Sequence, residues 1–441
     1  MGEGRRISAS RDKELGLWTS TALVVGNMIG SGIFLLPASL AVYGGISIFG
    51  WLLTSLGALL LALMFSRLSR MVPRAGGPYV YTRQAFGDFL GFIMAWGYWI
   101  SILSGNAAIA VALTAYLGFF WPAISGSPVW AATIALLNVW VLTWVNARGV
   151  RNAGILQLLT TCLKLTPLIV IATLGLWYFR ASHLRPLNMS GESGFSAVTA
   201  TAALTLWAFM GLESATIPSD RVKDPERTIP RATILGTLLS TFVYVLGTFA
   251  VMGIIHPSEL ANSTAPFADA ASRIWGVWAG YAVAAGAVVS CFGALNGWIL
   301  LQGQVPLAMA RDKLFPVTFG RLSSRGTPVA GLVISSVLVT LLIAINYSKS
   351  LVELFTFVIL LSTLTTLLPY AFSALAQLVL LRKRQQPMDK PTLLRSSIIA
   401  LLALLYSLWT IYGVGPDALF WGLVLILAGI PVYVWLRRQP S

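Results

Sequence analysis

Residues 26–34 read Gly26-Asn27-Met28-Ile29-Gly30-Ser31-Gly32-Ile33-Phe34, in the middle of an apolar run from about 17 to 43. A run of that length crosses a hydrocarbon core of roughly 30 Å as a helix. Its centre is nevertheless poor helix material. Two glycines flank a serine, each Gly costs about 1 kcal/mol relative to Ala, and Pro37 follows within a turn or so. In lipid, unwound main chain is tolerated only where it is buried in protein or lines a cavity. A break here would aim unpaired N–H groups and a helix N-terminus into the protein interior, an arrangement that favours an anion such as a carboxylate. The same glycines would also let two unbroken helices pack closely, and the pattern alone leaves both readings open.

The rest of the chain sets this run in context. Of 441 residues, 57% are hydrophobic and 10% charged, with a mean hydropathy of +0.79, whereas soluble domains carry about 25% charged residues. Apolar runs recur from end to end: 17–43, 46–69, 88–118, 128–146, 155–178, 196–217, 233–255, 278–305, 327–346, 352–380, 392–412 and 417–437. No intervening segment is long enough for a soluble domain, so 1–441 reads as one membrane domain. The first run lacks a small-residue cleavage site and leads into a second span, which reads as an uncleaved first helix. Cys162 and Cys291 both fall inside spans and imply no disulfide framework. His183 and His256 fall in predicted outer loops. Trp and Tyr in part mark the two interfaces.

A net charge of +15 raises the question of nucleic acid. The distribution answers it. With twelve spans, 25 of the 30 Lys and Arg residues fall on the side of the two termini, from Arg5 and Arg6 through Arg227 and Arg311 to Arg438. Only Arg180, Arg185, Arg273 and Lys349 fall opposite, and Lys164 lies within a span. This is the positive-inside pattern, which places both termini in the cytoplasm. The basic clusters are topology signals, and no nucleic-acid partner is expected.

Two ionisable residues lie deep in spans. Lys164 stands alone in Ile155–Tyr178, where a Lys near the bilayer centre costs about 2.5–3.5 kcal/mol on insertion scales. Glu213 follows Trp207-Ala208-Phe209-Met210-Gly211-Leu212 in the sixth run. A break around Met210–Gly211 would bare carbonyls suited to a substrate ammonium, although a packed helix with a neutral or hydrogen-bonded Glu213 is the plainer reading. Interrupted helices five spans apart suggest two five-helix halves with a binding site at mid-membrane. No residue-level repeat between the halves is evident.

At these residues the chain becomes recognisable. GNMIGSGIFLLPA (26–38), GGPYVYTRQAFG (76–87), LWAFMGLESA (206–215) and KDPERTIPRA (223–232) together resemble the amino acid–polyamine–organocation superfamily of secondary transporters, over about residues 15–437. LANSTAPFADAA (260–271), GWILLQGQ (297–304) and GTPVAGL (326–332) are similar to its basic amino acid/polyamine antiporters, which exchange arginine for agmatine, lysine for cadaverine or ornithine for putrescine. The resemblance implies an all-α polytopic fold of about twelve transmembrane helices. These form a five-plus-five inverted repeat (15–178 and 196–380) with broken helices 1 and 6, plus two additional helices at 392–437.

It also implies roles. Asn27, Ser31 and Gly32 match the segment that holds the substrate carboxylate, and backbone near Ile29 and Met210 would hold the α-ammonium. Trp207 matches an aromatic gate above the substrate. Trp298 matches an aromatic stacked on the cationic side chain, a contact generally worth about 0.5–2 kcal/mol. Asn106 matches a polar contact to that side chain, and Ser362 one near its distal end. Glu213 matches a proton-sensitive residue, and Tyr98 and Tyr370 match aromatics of the outer gate. On the residues alone, Trp298 could equally be a packing Trp and Asn106 a helix–helix bond.

Lys164 departs from the arginine/agmatine pattern and resembles other superfamily members with a span-5 lysine. Its ammonium would take the place of a metal ion, hold spans 1, 5 and 8 together and make sodium unnecessary. It would serve either as a fixed strut on span-1 carbonyls or as a group that releases a proton during the cycle.

The expectation is an inner-membrane amino acid transporter working by alternating access. It would exchange cationic amino acids or their amines, without cofactor or metal, with protons as a second partner and a homodimer open as its assembly. The competing readings are a proton-coupled importer of neutral amino acids using Lys164, a channel, and an intramembrane enzyme. The enzyme would need a nucleophile–base set or a metal cluster within the spans, and both histidines fall outside them.

Overall fold

The computed structural model describes residues 15–72, 74, 76–148, 153–216, 222–346, 348–383 and 389–438, with backbone alone at 153–162. Of the basic residues that carry the charge asymmetry, Arg5, Arg6, Arg11, Lys13, Arg151, Arg221 and Arg384 lie outside the described residues. The side chain of Cys162 does as well; Cys291 is buried and free.

Among the described residues, ten helices are long and apolar enough to cross a membrane, and two shorter apolar stretches, Leu163–Tyr178 and Val329–Ile345, complete twelve. The protein is an all-α, multi-pass membrane protein. Span 1 consists of Leu17–Met28 and Gly32–Ala41. Spans 2 to 5 are Ser47–Met71, Asp88–Phe120, Pro128–Ala147 and Ala153–Leu174. Span 6 is Gly194–Leu206 followed by short 3-10 turns at Trp207–Phe209 and Ser214–Thr216. Spans 7 to 11 are Pro225–Ile254, Val277–Arg311, Val329–Ile345, Leu351–Lys383 and Lys390–Tyr412. Span 12 is Pro416–Leu427 continued by Gly429–Arg438.

Two helices outrun the apolar pattern. Span 7 starts at Pro225 rather than near 233, because proline in the first turn forfeits no intrahelical bond, and the exposed Glu226, Arg227 and Arg231 extend it. Span 8 continues through Pro306 to Arg311.

The outward faces are apolar: Phe242, Leu405 and Leu408 are half exposed, as suits a surface bathed in lipid. Inside, hydroxyls satisfy themselves locally. Thr114, Thr143 and Thr237 each donate to the carbonyl four residues back, which satisfies those hydroxyls in a medium without water. Helices meet through glycine. A Cβ on Gly57 would fall 2.2 Å from the Tyr406 ring, joining spans 2 and 11, and one on Gly50 would fall 2.3 Å from Thr201 Oγ1, joining spans 2 and 6. Such close approach is how helices associate where lipid is as apolar as leucine.

On the face shared with the termini, the chain after span 6 returns beside the start of span 1. Leu15 and Val222 form a parallel bridge, and Lys223 N–H donates to the Leu15 carbonyl at 3.0 Å. Nearby, Arg83 pairs with Asp88 at 2.8 Å and Asp312 at 2.9 Å. Tyr79 donates to Asp312 at 2.6 Å and Arg437 reaches Asp88 at 2.9 Å. The short helix Pro78–Phe86, the start of span 3 and the ends of spans 8 and 12 are thereby tied together.

Candidate functional site

Both expected breaks are present. The first helix of span 1 ends at Met28. Ile29 leaves helical geometry (φ −80°, ψ 84°), its N–H still bonded to Val25. A new helix starts at Gly32, so its first-turn amides have no carbonyl one turn back in their own helix. The Ser31 hydroxyl is buried without a partner. In span 6, Met210 is extended (ψ 137°) and Gly211 takes a φ of +100°, a conformation open in practice to glycine.

The two breaks touch. A Cβ on Gly211 would lie 3.1 Å from Asn27 Cβ, and one on Gly32 would lie 3.3 Å from both Ala208 and Trp207 Cδ1. Between them lies a chamber of about 20 Å³ in this conformation, room for roughly one water. Main chain and side chains of Asn27, Met28, Gly30, Ser31 and Gly32 form one wall, and Ile109, Trp207, Met210 and Trp298 form the others. Its lining holds two indoles, two thioethers, an amide, an unpaired hydroxyl and open helix ends, and no ionised side chain.

The sequence-predicted residues group around this chamber. Asn27, Ser31, Gly32, Trp207, Met210 and Trp298 line it, and Trp298 Nε1 donates to the Asn27 carbonyl at 3.4 Å. Ser362 sits behind Met210, donating to the Ser101 carbonyl at 2.7 Å, with Met210 Sδ 3.7 Å away. Asn106 lies one turn from the lining residue Ile109, and a Cβ on its neighbour Gly105 would be 3.0 Å from Trp207. Asn106 is fully buried, and its amide nitrogen donates to Gln302 Oε1 at 2.7 Å.

The two intramembrane charges are engaged elsewhere. Lys164 Nζ donates to the Gly26 carbonyl at 2.6 Å, just before break 1. A Cβ on Gly286 would lie 3.0 Å from Pro167, so span 8 packs on the same stretch of span 5. Glu213 is fully buried and accepts from Tyr98 OH at 2.6 Å and from Tyr370 OH at 2.5 Å.

That triad corrects one expectation. Tyr98 and Tyr370 do not stand on the side of the breaks away from the termini, where an outer gate belongs. Glu213 follows break 6, the chain after it runs back to Leu15, and both tyrosines bind Glu213. They lie on the termini side of the breaks. The direction of span 6 decides the side.

Sequence reasoning missed Gln302, fully buried in span 8 one turn after Trp298. The signal was available: an amide in the otherwise apolar stretch Trp298-Ile299-Leu300-Leu301.

A family model described as amino acid permease matches residues 15–435. The chain belongs to the amino acid permease family. Among curated proteins, the permease is 38% identical to a cadaverine/lysine antiporter of Escherichia coli K12, over 82% of this chain and 83% of that one. It is 32% identical to a putrescine transporter of Haemophilus influenzae, over 96% of this chain and 97% of that one. It is also 32% identical to a putrescine transporter of Escherichia coli K12, over 97% of each. The permease is therefore a membrane transport protein across nearly its whole length.

Proposed function

We propose that the permease exchanges cationic amino acids and the amines formed by their decarboxylation across the cytoplasmic membrane, by alternating access around the chamber. The relatives named for cadaverine, lysine and putrescine support this substrate class. The observation that carries it is the juxtaposed pair of breaks, Gly211 against Asn27, with Trp207 and Trp298 beside them.

The chemistry follows from the lining. A carboxylate sits on the amides at the start of the Gly32 helix, where unpaired donors and the helix dipole both favour it. The α-ammonium meets main-chain carbonyls near Ile29 and Met210. The distal cation lies against the Trp298 indole, since a ring face attracts a cation most strongly when dry. A diamine forgoes the carboxylate contact and keeps the two cationic ones. Residues 15–178 and 196–380 form the two inverted halves that rock against each other, and 392–437 adds two helices outside them. Both termini are cytoplasmic.

Proteoliposomes preloaded with cadaverine should take up labelled lysine faster than empty ones, with unlabelled arginine and diamines competing and alanine not. Equal uptake into empty vesicles, or full competition by alanine, would overturn the reading. Trp298→Leu is expected to weaken lysine and diamine transport about tenfold, the effect of ~1.4 kcal/mol, within the range of a cation–π contact. Alanine transport, where measurable, should change less than twofold. Equal losses for both would remove the stacking role.

A further inference from the structure

We infer that Gln302 is a specificity-determining residue that acts by fixing the amide of Asn106, so that Asn106 offers its substrate a bare acceptor. The inference rests on the reading of the chamber as a site for cationic substrates, and it names the group that selects the cation.

Four buried side chains form a directed chain of hydrogen bonds across spans 3, 8, 9 and 4. Asn106 Nδ2 donates to Gln302 Oε1 at 2.7 Å. Gln302 Nε2 donates to Ser336 Oγ at 2.8 Å and to the Leu332 carbonyl at 3.3 Å. Ser336 Oγ and Thr143 Oγ1 are 2.6 Å apart, and Thr143 Oγ1 donates to the Val139 carbonyl at 2.7 Å.

The direction of the chain is set at its far end. A main-chain carbonyl can only accept. Thr143 therefore gives its one proton to Val139, and Ser336 must donate to Thr143. Ser336 then accepts from Gln302, whose nitrogen is also held by Leu332. That leaves Gln302 Oε1 facing Asn106, and an oxygen there demands the Asn106 nitrogen. Asn106 Oδ1 is what remains, and it is buried without a partner.

An isolated asparagine beside the chamber could turn either end to a ligand. With Gln302 in place, the reversed amide would set two oxygens against each other. The site therefore presents an acceptor to ammonium or guanidinium, and a substrate whose distal group only accepts finds no donor. A buried group left unpaired is costly, so the free oxygen is also what a cationic donor satisfies on entry. Gln302 is not among the residues that line the chamber; it is a positioning residue.

The test is a double-mutant cycle on purified, reconstituted permease, reading the ratio of apparent affinities for lysine and for norleucine, which has the same chain without the distal ammonium. Gln302→Leu is expected to lower that ratio about tenfold, the scale of one hydrogen bond to a charged group. Asn106→Ala should lower it as much, and adding Gln302→Leu to Asn106→Ala should change it no further. A neutral Gln302→Glu carboxyl keeps an acceptor for the Asn106 nitrogen and a donor for Ser336, so it should retain most of the wild-type ratio. It also serves if Gln302→Leu does not fold.

Equal weakening of both substrates by Gln302→Leu, additive effects in the double mutant, or a Gln302→Glu ratio as low as that of Asn106→Ala would each overturn the inference. An Asn106→Ala ratio equal to wild type would instead show that Asn106 makes no distal contact, which separates failure of the chamber reading from failure of the relay.

Discussion

Gly211→Ala is expected to cut exchange by more than tenfold while the protein still reaches the membrane. At φ +100° a side chain is strained whatever the space around it, by about 1–3 kcal/mol. The added methyl would also lie 3.1 Å from Asn27 Cβ, so relief of the strain must shift one break against the other. The rest of the fold does not depend on this contact, which is why insertion should survive. The measurement is the initial rate of lysine uptake per reconstituted molecule, with size-exclusion homogeneity as control. A rate within twofold of wild type would mean that the break in span 6 needs no such backbone geometry.

The second large effect is expected from Lys164→Ala. It leaves the Gly26 carbonyl, now bonded at 2.6 Å, without its donor immediately before break 1. Hydrogen bonds to charged groups contribute about 1.5–3 kcal/mol, so melting in detergent should occur at a lower temperature. Net uptake driven by a pH gradient should disappear. Lys164→Met, which keeps the length and apolar stem, should behave the same way. Lower stability with unchanged pH-driven uptake would leave Lys164 as a strut alone, and the expectation of protons as a second partner would lose its residue.

Much of this architecture was legible because it is written locally. A span is a contiguous apolar run, and a helix break is a cluster of residues that lower helix propensity within one turn, as at Gly30-Ser31-Gly32. Proline and glycine act on their own backbone, so their meaning survives without knowledge of neighbours. The costly Lys164 and Glu213 could likewise be singled out in advance, since the bilayer penalises either one wherever it lies.

Side and partner were not legible. Tyr98, Glu213 and Tyr370 come from spans 3, 6 and 10, and nothing near any of them indicates on which side of the breaks they meet. That required the course of the chain from Glu213 back to Leu15. Asn106 and Gln302 are 196 positions apart. An amide in a span advertises a need for a partner, not which partner or which way round. Hydrogen-bond polarity was the least accessible property, because it is fixed at Val139 and Leu332, two apolar residues that contribute only their carbonyls.

If the two halves rock as proposed, the close approach of Gly211 to Asn27 would act as a fulcrum. Main chain packed that tightly has no slack to lengthen or shorten, so the rocking would turn about that point. Spectroscopic rulers spanning residues 27 to 211 would then hold one length through the whole cycle. Rulers set across the two membrane faces would trade lengths, one opening as the other shuts.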